Sequence, residues 1–518
     1  MSRRSSNLKD YSLLTSFSLL EKVIAFIYQM ITAAVLGASA VTDCYFSASQ
    51  LFDLIDSTLL GALVVVVINR YANICSEKDE KSGIDFLSRL NTLLSAVMVS
   101  LAVITFIFAK PFSYLIAPGF DEIARPELIR CIRILCVIPP IMVFATIAQG
   151  LLRLKKCFIS ANSRSLFISM CGMAVILLFS IRNPENADVL CYGYVAANLL
   201  FSLLLFIRSR KFGKIGFKKP TFDSDTKKLL VMATPAIISK GIVRISLMID
   251  QVISSMLGEG SVSYLNYAHS LYNMVNSLLI VNLCVVMFTD FTNLCVGKQF
   301  DEMIKKLKAS SSSILLILAP VSLLTMCFSK EIVSIAYQRG AFGEESSAAV
   351  GVLLLFYAIG FIPAMLNSIH TQVLHSFGKM NVAMRNSIIS FIINIIISIT
   401  ASHFIGIAGI AIGTTVSSII VIPMYKSAVK KCLTEYKRLL EVRFMLKLFA
   451  GLCACGAVIV PFKLFMNSTI LSFGGATVCG FIAFAVTLLL LKEETLCGLI
   501  KGIGKRKKDD QNTENTDQ

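Results

Sequence analysis

The chain has 518 residues, 55% hydrophobic and only 16% charged, with a mean hydropathy of +0.74 and a formal net charge of +17. A soluble chain carries about a quarter charged residues, whereas apolar runs of about twenty residues match a bilayer core. A soluble enzyme is therefore excluded and a polytopic helical membrane protein is expected. The positive charge gathers in alternate loops instead of on a soluble basic domain, which argues against a nucleic-acid partner.

In chain order, apolar runs predict spans over about 12–37, 42–70, 86–110, 127–152, 160–181 and 187–208. The second series runs over about 227–257, 262–292, 309–329, 346–374, 382–403 and 405–428, followed by a pair at 444–466 and 469–491. The first run ends at Leu36-Gly37 before Ala38-Ser39-Ala40, which imitates a signal-peptide cleavage site. Its length, and Lys22, Tyr28 and Gln29 inside it, predict a retained helix. Basic residues cluster at Lys78/Lys81/Arg89, at Arg153/Lys155/Lys156/Arg164, over 208–228 and 298–308, at Lys379/Arg385, and over 426–447 and 501–508. The positive-inside rule then puts both termini in the cytoplasm. The organisation expected is 1–208 (spans 1–6), a basic cytoplasmic linker 209–228, 229–430 (spans 7–12), 431–491 (spans 13–14) and a polar cytoplasmic tail 492–518.

An internal repeat supports two similar halves. Leu36 to Leu51 returns as Leu257 to Leu271, sharing register through Gly37/Gly258, Val41/Val262 and Ser49/Ser270. Parallel repeats of this kind belong to transporters that rock two bundles about a central site.

Charges inside a span cost about 2.5–3.5 kcal/mol each, so each needs a reason. Asp53 and Asp56 are three apart and share a helix face, as do Lys240 and Arg244 at four apart. Their opposite signs predict pairing between the second and seventh helices, and a water-filled cavity is favoured over an inert pair for Asp53, Asp56 and Arg244. Asn266, His269, Ser270 and Asn273 make the eighth helix polar, with Asn266, His269 and Asn273 at helical spacing along one stripe, and a cavity lining that also serves as hydrogen-bonded glue is expected. His370 and His375 are expected to be solvated interface histidines more than pH sensors. The fifteen cysteines contain no Cys-x-x-Cys and read as small hydrophobes. No phosphate-binding glycine loop and no nucleophile–base set is present, so a non-enzyme is expected, with transport run by ion gradients, by membrane potential or passively.

Leu36 to Leu51, Ala117-Pro118-Gly119-Phe120-Asp121, Gly260 to Leu271 and Tyr337-Gln338-Arg339-Gly340-Ala341-Phe342 together resemble the MurJ family of lipid II flippases, of the multidrug/oligosaccharidyl-lipid/polysaccharide exporter superfamily. The resemblance implies an all-α fold of fourteen transmembrane helices, with two six-helix lobes in a V-shape and two C-terminal helices forming a lipid groove. It also implies an activity, the movement of undecaprenyl-pyrophosphate-linked peptidoglycan precursor to the outer leaflet of the bacterial cytoplasmic membrane, with cell-wall synthesis proteins as partners.

Substrate-facing residues expected on this basis are Lys22, Tyr28, Gln29, Asp53, Asp56, Arg244, Asn266, His269, Ser270 and Asn273. No organic cofactor is expected. A family sodium site maps onto Asp250, Asn394 and Thr414, with Ser398 where the second carboxylate would be, so Na+ or H+ coupling is expected. The chain departs from the family where cavity arginines are usual: Tyr28-Gln29 on the first helix, Asp56 on the second and His269-Ser270 on the eighth. These departures keep open a flippase for another polyprenyl-linked oligosaccharide, or a transport-dead scaffold for cell-wall synthesis.

Overall fold

The computed structural model describes residues 2–181, 186–219, 224–436, 439–466 and 468–496, and every regular element among them is helical. The chain divides into two compact units, Met1–Tyr267 with Tyr337–Ser346, and Ala268–Ala336 with Ser347–Gln518. Among the described residues, ten helices are long and apolar enough to cross a bilayer.

The first unit holds α1 (Ser2–Leu36), α2 (40–77), α3 (Glu80–Ile107), α4 (Ala124–Leu154), α5 (164–180), α6 (Ala187–Ser209) and α7 (Ser224–Ser255). It also takes the first turns of α8 (261–296). α2 and α8 are each interrupted by a π turn, at Asp56–Leu60 and Ser277–Val281, and α5 ends in one at Ile176–Ser180. In α2 and α8 a serine hydroxyl at the turn bonds back to a carbonyl of the preceding turn: Ser57 to Asp53 (2.6 Å) and Ser277 to Met274 (3.2 Å). That competition with the helical ladder accompanies a local widening.

The basic linker does not hang free between helices. Gly216 N–H donates to Ser88 Oγ (3.1 Å), Lys218 N–H to Thr92 Oγ (3.0 Å), and Asn91 Nδ2 to the Gly216 carbonyl (3.3 Å). Lys218 Nζ meets Asp85 at 2.6 Å. The polar side of the first half of α3 thus straps residues 216–218 down; of the linker's remainder, 220–223 lie outside the described residues.

The second unit holds the rest of α8, α9 (Phe300–Cys327), α10 (Glu344–Ser376), α11 (Met380–Ile405), α12 (Ala408–Cys432), α13 (Val442–Phe465) and α14 (Thr469–Leu490). Its core runs through Phe291, Leu318, Phe361, Ile369 and Val373. α11 and α12 pack almost backbone to backbone, because a Cβ on Gly409 would fall 2.2 Å from Ser402 N and one on Gly413 2.2 Å from Ser398 Oγ. α13 and α14 form a hairpin through Gly451, Cys455 and Gly480, held by Lys447 on Glu493 (3.0 Å), while Lys463 on Glu331 (3.2 Å) ties α13 to the segment after α9. Cys453 and Cys455, two apart, face opposite ways: Cys453 is exposed and Cys455 buried.

His370 is a correction. It is buried, not solvated: Nδ1 donates to the Leu366 carbonyl (2.6 Å), which leaves Nε2 to accept from Tyr436 Oη (2.8 Å). The loop after α12 brings Tyr436 onto it, and an apolar run says nothing about such a distant cover.

Candidate functional site

The four stretches that carried the resemblance meet at one end of the first unit, where α1 stops and α2 begins. Gly37 ends α1 with φ +65°, a conformation that favours glycine. The Gly340 turn sits against it: Ala341 N–H donates to the Ala34 carbonyl (2.8 Å), and a Cβ on Gly340 would lie 2.1 Å from Ala34 O. Tyr267 Oη donates to the Gly37 carbonyl (3.1 Å), satisfying an acceptor that a helix C-terminus leaves open. Tyr267, Tyr337 and Phe342 pack as an aromatic cluster beside it, with ring centroids 5.1–5.9 Å apart. The Ala117–Phe120 loop is held by Arg125, which donates to the carbonyls of Ala117 (3.4 Å), Pro118 (3.2 Å) and Phe120. Gly119 is pressed onto the end of α7, where a Cβ would fall 2.3 Å from Ser255 O.

Asp43 is the pin of this clasp. Its carboxylate is 2% exposed and accepts from Gly260 N–H (2.7 Å), Ser263 N–H (2.8 Å) and Ser263 Oγ (2.6 Å). The start of α2 therefore caps the start of α8, supplying charge where the helix dipole is positive and partners where amides have none. Thr42 and Ser263 are repeat mates, 221 residues apart, and their hydroxyls bond at 2.7 Å. By sequence alone Asp43 is only a charge near a helix end. The signal that could have found it is the glycine–serine turn Gly260-Ser261-Val262-Ser263, whose free amides need an acceptor.

A second polar cluster lies in the interior of the same unit. Arg164, the first residue of α5, forms an ion pair with Asp56 and donates from Nε to Asn198 Oδ1 (2.9 Å). Asp53 accepts from Tyr194 Oη (2.8 Å), and Asn198 Nδ2 donates to the Tyr194 carbonyl (2.8 Å). The pairing expected between α2 and α7 is thus replaced by one between α2 and α5, with α6 bracing both. On α7, Lys240 donates to the Gly61 carbonyl (2.8 Å), and Arg244 is close enough for its charge to act on Asp56. Arg164 reads as one of the loop cations by charge alone, although the predicted span 160–181 already contains it.

The remaining expected residues are scattered. Lys22 is exposed, and Tyr28 is packed inside the unit with its hydroxyl 3.5 Å from that of Tyr45 and its ring against Gly172. Gln29 is half-buried with Oε1 unpartnered. Asn266, in the first unit, donates to the Val262 carbonyl (2.9 Å). In the second unit Asn273 Nδ2 lies 3.1 Å from His269 Nδ1, His269 stacks on Tyr272, and Ser270 is half-buried.

The expected cation ligands also fall in both units. Asp250 is buried in the first. In the second, Asn394 Nδ2 donates to Thr414 Oγ (3.1 Å), which turns Asn394 Oδ1 away; that oxygen and the fully buried Ser398 Oγ have no hydrogen-bond partner.

The family model for the lipid II flippase MurJ matches residues 32–494. The chain belongs to the MurJ family. It is similar to the probable lipid II flippase MurJ of Rickettsia prowazekii, 25% identical over 419 residues, covering 78% of this chain and 80% of that protein. The probable lipid II flippase MurJ of Rhizobium meliloti is 25% identical over 404 residues, covering 74% and 75%. Among solved structures, a lipid II flippase MurJ in an inward closed conformation superposes with a TM-score of 0.80 at 18% identity, covering 92% of this chain and 98% of that one. An inward-facing multidrug resistance MATE transporter of the MOP superfamily gives 0.67 at 13% identity, covering 81% and 96%. MurJ membership makes this a multi-pass membrane transporter of peptidoglycan biosynthesis, not an enzyme. The clasp is built from the stretches through which the MurJ resemblance was read.

Proposed function

We propose that this chain flips undecaprenyl-pyrophosphate-linked peptidoglycan precursor from the inner to the outer leaflet of the bacterial cytoplasmic membrane by alternating access. The observation that carries the reading is the Asp43 clasp, which ties α1, α2, α8 and the Gly340 turn by contacts that can be made and broken as a set. In this reading fourteen helices cross the membrane: the ten long apolar ones, together with α2, α5, α7 and α8. With both termini cytoplasmic, the clasp is the outer gate. The chain then comprises an N-lobe 1–208, a linker 209–228, a C-lobe 229–430, a lipid-tail groove formed by α13 and α14 within 431–491, and a tail 492–518.

Alternating access exposes the head group to the cytoplasm with the clasp shut and to the outside with it open. In the first unit Lys22, Gln29, Arg244 and Asn266 contact the head group, and the Asp53–Asp56–Arg164 network holds the wall behind them. A pyrophosphate carries about two negative charges, and an inside-negative potential favours outward movement by about 2.3 kcal/mol per charge per 100 mV. For coupling, Asn394 Oδ1 and Ser398 Oγ in the second unit are unpartnered buried oxygens that suit a hard monovalent cation, with Thr414 beside them.

The test is a reconstituted flipping assay with fluorescent lipid II, in Na+ and in K+ buffers, beside a different polyprenyl-pyrophosphate sugar. Transport of lipid II supports the reading, and rescue of a strain depleted of its own flippase supports it in cells. The second reading, another polyprenyl-linked oligosaccharide, is favoured by Asp56 pairing with Arg164 on α5, which alters where positive charge is presented. Transport of only the other sugar selects it.

A further inference from the structure

A cavity of about 640 Å³ opens in the second unit between the start of α11 and the end of α12, whereas the clasp and the charge network belong to the first unit. One wall is Lys379, at the cap of α11, and the α11 face carrying Val382 and Asn386, with Arg385 beside it. The other is a face of α12 carrying Met424, Ser427 and Lys431. Three cations thus stand among the residues lining the cavity, and no carboxylate does. The N-terminus of α11 adds the positive end of a 26-residue helix, reached through the left-handed turn at Gly378.

The independent sign of a ligand is Asn386. It is 1% exposed and lines the cavity, yet neither its Oδ1 nor its Nδ2 has a hydrogen-bond partner. A buried amide with both ends unmet is costly, so a partner with both a donor and an acceptor is wanted.

We propose that this cavity binds the headgroup of an anionic phospholipid that carries free hydroxyls, of the phosphatidylglycerol class. Lys379, Arg385 and Lys431 neutralise the phosphate, Asn386 Nδ2 donates to a phosphate oxygen, and Oδ1 accepts from a glycerol hydroxyl. The apolar wall at Val382 and Met424 takes the start of the acyl chains. Basic pockets between helices at the cytoplasmic side suit such headgroups, and the positive-inside reading puts this end of α11 and α12 there. A phosphatidylethanolamine headgroup presents an ammonium that the three cations repel.

The test is native mass spectrometry of the purified full chain with phosphatidylglycerol, phosphatidic acid, phosphatidylethanolamine or phosphatidylcholine, and with glycerol 3-phosphate as the soluble arm. Expected is retention of phosphatidylglycerol at least about tenfold above phosphatidylcholine, with phosphatidic acid between them because it lacks the hydroxyl. The triple variant Lys379→Gln, Arg385→Gln, Lys431→Gln is expected to abolish the preference, and Asn386→Leu to erase the difference between phosphatidylglycerol and phosphatidic acid. Equal retention of all four lipids by the unaltered chain overturns the proposal without any variant. Tight binding of glycerol 3-phosphate alone, with no lipid preference, overturns the lipid assignment. So does a triple variant that folds and keeps the wild-type preference.

Discussion

The Asp43 clasp makes a quantitative prediction. At the start of α8 the amides of Gly260 and Ser263 are served by one carboxylate, which also takes the Ser263 hydroxyl. Asp43→Asn leaves one carbonyl oxygen for those donors and turns an NH2 toward the rest. Hydrogen bonds to a charged group contribute about 1.5–3 kcal/mol, so about 2 kcal/mol of clasp stability should go. At 1.4 kcal/mol per factor of ten, that is an increase of about thirtyfold in the open population. Hydrogen–deuterium exchange of peptides covering 258–266, in detergent or nanodiscs, reads this directly. Gly260 and Ser263 should exchange about thirtyfold faster, and in Asp43→Ala more than about a hundredfold faster. Peptides from α14 serve as an internal control. Unchanged protection of these two amides in a folded Asp43→Asn protein would falsify the clasp.

Other expectations follow from the same contacts. Gly340→Ala drives a Cβ into Ala34 O at φ +57° and should cost more than about 1 kcal/mol, seen as a lower unfolding temperature; Gly343→Ala, with open space around it, should not. Arg164→Gln strands the buried Asp56 carboxylate and should destabilise by about 3 kcal/mol or more, with partial recovery in Asp56→Asn/Arg164→Gln; a double variant as unstable as the sum of the two singles would refute the pairing. Bonds from the Ser82 hydroxyl and amide hold the Asp79 carboxyl below its ordinary range at the cap of α3. Its contribution should therefore be full at neutral pH and fade below about pH 4 as the carboxyl protonates, measurable as faster exchange at Ser82 that Asp79→Ala reproduces at pH 7.

Much of the helical layout was legible because a bilayer demands runs of one length and hydropathy reads them without tertiary knowledge. The repeat was legible for the same reason, through Gly37 and Gly258 in matching turns. What escaped is what depends on partners far along the chain. Asp43 looked like one more charge, because nothing local says that its acceptor oxygens meet amides about 220 residues on. Sign alone assigns Asp56 to α7, whereas its partner Arg164 is hidden among loop cations. The linker reads as a spacer, but Ser88, Asn91 and Thr92 on α3 are spaced to hold its backbone. His370 reads as solvated until Tyr436 is seen to close over it.

The π turns fix something that no hydropathy profile records. A π turn holds one residue more than an α turn, so each side chain beyond Leu60 is rotated by about 100° from where regular helical counting puts it. Deleting one residue within 56–60 should leave α2 equally apolar and of nearly equal length while turning the whole segment 61–77 to a different azimuth. The turn at Ser277–Val281 stands at the same offset of 221 residues that separates Thr42 from Ser263, so the second half keeps the same extra residue at the same place. Which way the second half of α2 and of α8 looks is thus a matter of counting, and an ungapped threading of ideal helices through either half would misplace the residues after the turn.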